Sequence, residues 1–76
     1  MIRLEKHVPI ENQHRFYNLG ISPDLFGGWL LIREYGRVGS PGQLLTNWFE
    51  TQDACQTALA KLLLQKQRKG YKQRKG

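Results

Sequence analysis

The sequence predicts a small α+β domain: an antiparallel β-sheet of about four strands with one C-terminal helix packed on it. Short apolar runs recur through residues 2–50, separated by Gly- and Pro-rich turns. A stretch of helical periodicity follows from residue 52. With 76 residues and 39% apolar content there is material for one core only, since a chain of this size buries about 60% of its unfolded surface.

The first strand is signalled by Ile2 and Leu4 alternating with Arg3 and Glu5 up to about His7, where Val8-Pro9 interrupts it. Phe16, Tyr17, Leu19 and Ile21 make residues 15–21 the second. Ser22-Pro23-Asp24 and Gly27-Gly28 are turn formers bracketing Leu25-Phe26, so that segment is a connection. The third strand runs over residues 29–35. Trp29, Leu31, Arg33 and Tyr35 point one way and Leu30, Ile32 and Glu34 the other, which predicts a central strand covered on both sides near its start.

Gly36, Gly39, Pro41 and Gly42 turn the chain into a fourth strand over residues 43–50, as an antiparallel hairpin. Leu45 and Phe49 share one face of it, and Leu44, Thr46 and Trp48 the other. Thr51 then suits a helix N-cap, Asp53 the first turn and Gly70 the position past the end, giving a helix over residues 52–69. Its apolar stripe is Cys55, Ala58, Leu59, Leu62 and Leu63, continued by the stem of Lys66, with Leu64 nearly opposite. We expect residues 1–71 to form the domain and residues 72–76 to be a disordered basic tail.

Charge is divided unevenly. Residues 1–60 carry five Lys/Arg against six acids, whereas Lys61, Lys66, Arg68, Lys69, Lys72, Arg74 and Lys75 follow with no acid among them. The whole net charge of +6 therefore sits at the C-terminal end. Such a cluster attracts polyanions, or simply solubilises the chain. Cys55 alone cannot form an intramolecular disulfide, and neither a leader at Met1 nor a run of the ~18 apolar residues that span a bilayer is evident. A cytoplasmic monomer without cofactor, metal or membrane is the expectation.

The ordered set Phe16-Tyr17, Asp24-Leu25-Phe26-Gly27-Gly28-Trp29, Arg33-Glu34-Tyr35-Gly36-Arg37-Val38-Gly39, Gly42-Gln43, Phe49, Ala54 and Lys69-Gly70-Tyr71 resembles the WGR domain, a family named for a Trp-Gly-Arg step. The resemblance spans residues 15–71. It implies an antiparallel sheet with a helix packed on it, and a role in contacting DNA ends, as in the DNA-damage-activated poly(ADP-ribose) polymerases that contain the domain. Bacterial proteins contain it too, and this chain looks like a stand-alone bacterial form. The signature Trp is Tyr35 here, a smaller ring with an added hydroxyl.

These readings nominate a non-enzymatic nucleic-acid-binding module for DNA ends, nicks or single strands, with RNA as a further possibility. In it Tyr35 stacks on a sugar or base and Arg37 engages a phosphate. Trp48 offers an outward stacking surface, and Arg33, Lys66, Arg68, Lys69 and Lys72 supply phosphate contacts. The alternatives stay open: Tyr35 closing the sheet, Arg37 bracing its turn, Trp48 covering an apolar patch, or the turn and Leu64 docking on a protein partner. Tyr71 reads as a clasp on Leu63 or the Lys66 stem. Catalysis and metal binding have little support: His7 and His14 read as exposed strand-end or loop residues, and Cys55 falls in the buried stripe.

Overall fold

In the computed structural model, which describes residues 1–74, five strands form one antiparallel sheet in the order β4-β3-β2-β1-β5. The strands are β1 (Ile2–Val8), β2 (Gln13–Pro23), β3 (Trp29–Arg37), β4 (Gln43–Phe49) and β5 (Lys72–Arg74), with α1 (Gln52–Arg68) between the last two. Four consecutive antiparallel strands and a C-terminal helix are as predicted. The fifth strand is not.

β5 exists because of how α1 ends. Gly70, at φ 99°, lets the Tyr71 N–H reach the Lys66 carbonyl (3.1 Å) and the Gly70 N–H reach the Gln67 carbonyl (3.1 Å), a Schellman closure that reverses the chain. Tyr71 is thereby turned back onto the sheet, and Lys72, Gln73 and Arg74 pair with Glu5, Leu4 and Arg3 of β1. The disorder expected from residue 72 is thus corrected for Lys72–Arg74, because backbone pairing to the free edge of β1 does not require apolar side chains. The remainder of that tail, residues 75–76, lies outside the described residues.

α1 begins as its sequence dictates, with the Thr51 hydroxyl accepting from the Ala54 N–H at 3.1 Å. Cys55 is fully buried, Ala58, Leu59, Leu62, Leu63 and Lys66 are half-buried, and Leu64 is exposed, so the predicted stripe is the packed face. It rests on Leu4, Tyr17 and Leu19, which form the core together with Ile2, Tyr35 and Tyr71.

Cover is one-sided. Leu31 on the helix side of β3 is buried, but no element lies over Leu30 and Ile32 on the other side among the described residues, and both are half-buried. That corrects the expectation of a strand covered on both faces: a chain with one helix has only one layer to lay on a sheet.

A candidate nucleic-acid interface at the end of the central hairpin

The register of β2 with β3 sets Tyr17 opposite Tyr35, Phe16 opposite Gly36 and Arg15 opposite Arg37. Paired residues share a face of the sheet, so Tyr17 and Tyr35 both point toward α1. Their rings stack with centroids 5.3 Å apart and planes 10° from parallel. Tyr71 meets Tyr17 edge-on at 6.2 Å, and the Lys66 ammonium lies 4.5 Å above the Tyr17 ring. Desolvation, with Lys69 and Arg33 nearby, pushes the Lys66 amine below its ordinary pKa.

The turn after Arg37 is folded tightly over Phe16. A Cβ on Gly36 would come within 2.8 Å of the Gly42 Cα, and one on Gly42 within 2.7 Å of both the Phe16 ring and the Tyr35 carbonyl oxygen. Gly42 also has φ 80°, so glycine is required on two counts. The Val38 N–H donates to the His14 carbonyl at 2.9 Å, tying the turn to β2.

The result is a groove of about 330 Å³ lined chiefly by Arg15, Tyr35, Arg37, Gly42, Gln43 and Tyr71. The Tyr35 hydroxyl donates to Gln43 Oε1 at 3.1 Å, while Arg15 and Arg37 stand exposed at its rim without an ion-pair partner among the described residues. Two like charges placed directly across a sheet oppose folding. Arg15 was not singled out in the sequence, and only the strand register could have signalled it.

Of the residues nominated from the sequence, Tyr35 and Arg37 line this groove, and Lys66 lies behind it on the aromatic cluster. The others lie elsewhere. Arg33 is half-buried between β3 and α1, its Nε without a partner among the described residues, in a separate groove with Lys61, Gln65 and Asn47. Arg68 and Lys69 are exposed at the end of α1, and Lys69 caps it. Lys72 pairs with Glu5 on the face away from the helix.

Trp48 is on that far face too, opposite Leu30, at the other end of β4 from Gln43. It is 56% exposed, and its indole N–H donates to the Gly27 carbonyl at 3.1 Å over a Gly28 with no room for a side chain. It therefore braces the β2–β3 turn and does not join the Tyr35–Arg37 groove. Cys55 is fully buried, which pushes its thiol up in pKa and keeps it protonated. No helix among the described residues is long and apolar enough to cross a membrane.

A small antiparallel sheet with one helix on one face, and an exposed arginine pair beside stacked tyrosines at a glycine turn, defines a binding module. The WGR domain profile matches residues 1–76, so the chain belongs to the WGR domain family, a family associated with nucleic-acid binding. It is also similar to the Sinorhizobium fredii (strain NBRC 101917 / NGR234) protein named "Uncharacterized protein y4dW", with 35% identity over 71 residues. That match covers 93% of this chain but 35% of the relative, so the chain spans about a third of the relative's length. No solved structure matches.

Proposed function

We propose that the chain binds nucleic acid, preferring DNA ends, nicks or single strands, through the groove at the end of β2 and β3. One observation carries the reading: Arg15 and Arg37 are registered opposite each other, exposed, with no acidic partner among the described residues. A phosphate between them turns an unfavourable like-charge pair into a two-armed clamp, and guanidinium forks match its oxygens. Tyr35, Gln43 and Tyr71 supply a ring wall and an amide beside it, suited to an unstacked sugar or base. The basic groups of α1 and β5 add sequence-independent attraction.

The test is binding of short labelled DNAs with ends, single strands and a closed circle over a series of salt concentrations. Log K should fall with log salt by about 0.9 for each phosphate contacted on duplex DNA. Arg37→Ala should weaken end binding more than binding to the closed circle, and replacing the basic residues of β5 should weaken both alike. Absence of binding at low salt would overturn the reading. That result would favour a protein-docking module instead, to which the exposed Leu44, Trp48 and Leu64 are suited.

A further inference from the structure

The sheet has two edges, and they are built differently. At one edge β5 is three residues long and carries Lys72 and Arg74. A short, charged edge discourages a further strand. At the other edge β4 runs for seven residues, Gln-Leu-Leu-Thr-Asn-Trp-Phe, with no charge and no proline. It pairs with β3 residue for residue, from Trp29 opposite Phe49 to Tyr35 opposite Gln43, without a bulge, and no strand lies beyond it among the described residues. We propose that β4 is the interface for a second copy of this chain, added antiparallel about a two-fold axis at Thr46 to continue the sheet, in place of the monomer expected from the sequence.

The strand is its own complement. With the axis at Thr46, Thr46 faces Thr46, Leu45 faces Asn47, Leu44 faces Trp48 and Gln43 faces Phe49 of the second copy, so every residue of β4 is paired. Facing residues share a side of the sheet. On the side away from α1, Trp48 already stands beside Leu30, and Thr46 beside Ile32. The axis therefore joins two half-covered rows into one apolar strip that runs from Leu30 through Trp48 to Leu44 of the second copy. Leu44 is 62% exposed, Leu45 41% and Trp48 56%, so the side chains that meet are open to water in a lone chain. Trp48 is also held in place beforehand by its bond to the Gly27 carbonyl, which lowers the entropy lost on contact.

Charge selects the occupant. The chain carries a net +6, so two copies repel wherever their basic surfaces approach. Along β4 itself they do not, because no side chain there is charged. Charges stand one strand or one layer back: Glu34 beside Leu44, Arg33 beside Leu45, and Lys61 of α1 in the groove with Asn47. They leave a residual repulsion that salt screens. Nucleic acid has no cation on this strand to bind. A free apolar peptide has to be ordered as it docks, whereas a second β4 is already an extended strand. Of the residues lining the Arg15–Arg37 groove only Gln43 belongs to β4, at its first position, so the interface stands or falls independently of nucleic-acid binding.

The experiment is sedimentation velocity of the chain over a range of concentration and salt, with circular dichroism to check folding. The wild type should pass from one copy to two as concentration rises. That transition should move to lower concentration as salt rises, because salt screens the net charge while the contact itself carries none. Thr46→Lys sets two ammonium groups face to face on the axis and should weaken the dimer by about tenfold in a folded chain. Leu64→Lys adds the same charge on the exposed side of α1 and should change dimerisation far less. Thr46→Cys should crosslink to its counterpart on mild oxidation, since facing Cα atoms of an antiparallel pair lie about 4.5–5.5 Å apart. A chain that stays monomeric at millimolar concentration in high salt would overturn the proposal and leave the edge to a peptide partner. So would a dimer that survives unchanged in folded Thr46→Lys, or one that dissociates as salt rises, which marks a contact between charged surfaces elsewhere.

Discussion

Tyr35 lies flat on Tyr17, ring on ring at 5.3 Å, and so the ring at the family's signature position is built into the sheet rather than held out for a ligand. One of its faces is spent on Tyr17, and its hydroxyl is spent on Gln43. What it offers a ligand is the remaining surface along the groove.

Tyr35→Leu should therefore cost stability, by about 0.5–1.5 kcal/mol beyond the loss of buried area, through the missing stack. Tyr35→Phe keeps the stack and removes only the Gln43 bond, for about 0.5–1.5 kcal/mol at most. Urea unfolding of the two variants separates these contributions.

For the arginine pair, the two readings predict opposite signs. If Arg15 and Arg37 are a ligand clamp, Arg15→Ala should relieve a like-charge opposition and raise stability at low salt by about 0.2–1 kcal/mol. The same variant should weaken DNA binding and flatten its salt dependence by about one phosphate contact. Loss of stability without loss of affinity would mark Arg15 as structural.

The two glycines of the signature turn should respond differently. At Gly39, φ is 93° but nothing lies within 4 Å of an added Cβ, so Gly39→Ala should cost only the left-handed strain of about 1–2 kcal/mol. Gly42→Ala adds a clash with the Phe16 ring and with the Tyr35 carbonyl, which is backbone and cannot swing aside. It should cost more than Gly39→Ala in the same unfolding assay.

Acid should destabilise the fold through Glu5. Its carboxyl is depressed to about 2 from an ordinary 4.5 by His7 and Arg3, so the stabilisation it gives is complete above 4.5 and lost as pH falls toward 2. Glu5→Gln should flatten the pH dependence of the urea midpoint in that window.

Much of this molecule is legible in one dimension. Alternation placed the first four strands, the spacing of Cys55, Leu59, Leu62 and Lys66 placed the packed face of the helix, and Gly70 placed its end, because each depends on neighbours a few residues away. The ordered motifs around Tyr35-Gly36-Arg37 carried the family. The site was less legible: a list of aromatic and basic residues put Trp48, Arg33 and Lys72 with Tyr35 and Arg37, whereas the fold sends Trp48 and Lys72 to the opposite face and slides Arg33 beneath the helix.

What the sequence determined by itself is local: the type of the first four strands and of the helix, and the tight glycine turn after Arg37. What only the tertiary structure decided is register. Pairing β2 with β3 brought Arg15 against Arg37 and Tyr17 against Tyr35; pairing β1 with β2 brought His7 against His14; and the free edge of β1 recruited Lys72–Arg74 as a strand. Such pairs are separated by anything from 7 to 71 residues along the chain. No local pattern encodes them, because a shift of one residue between strands would exchange every facing partner and turn each side chain to the other side of the sheet.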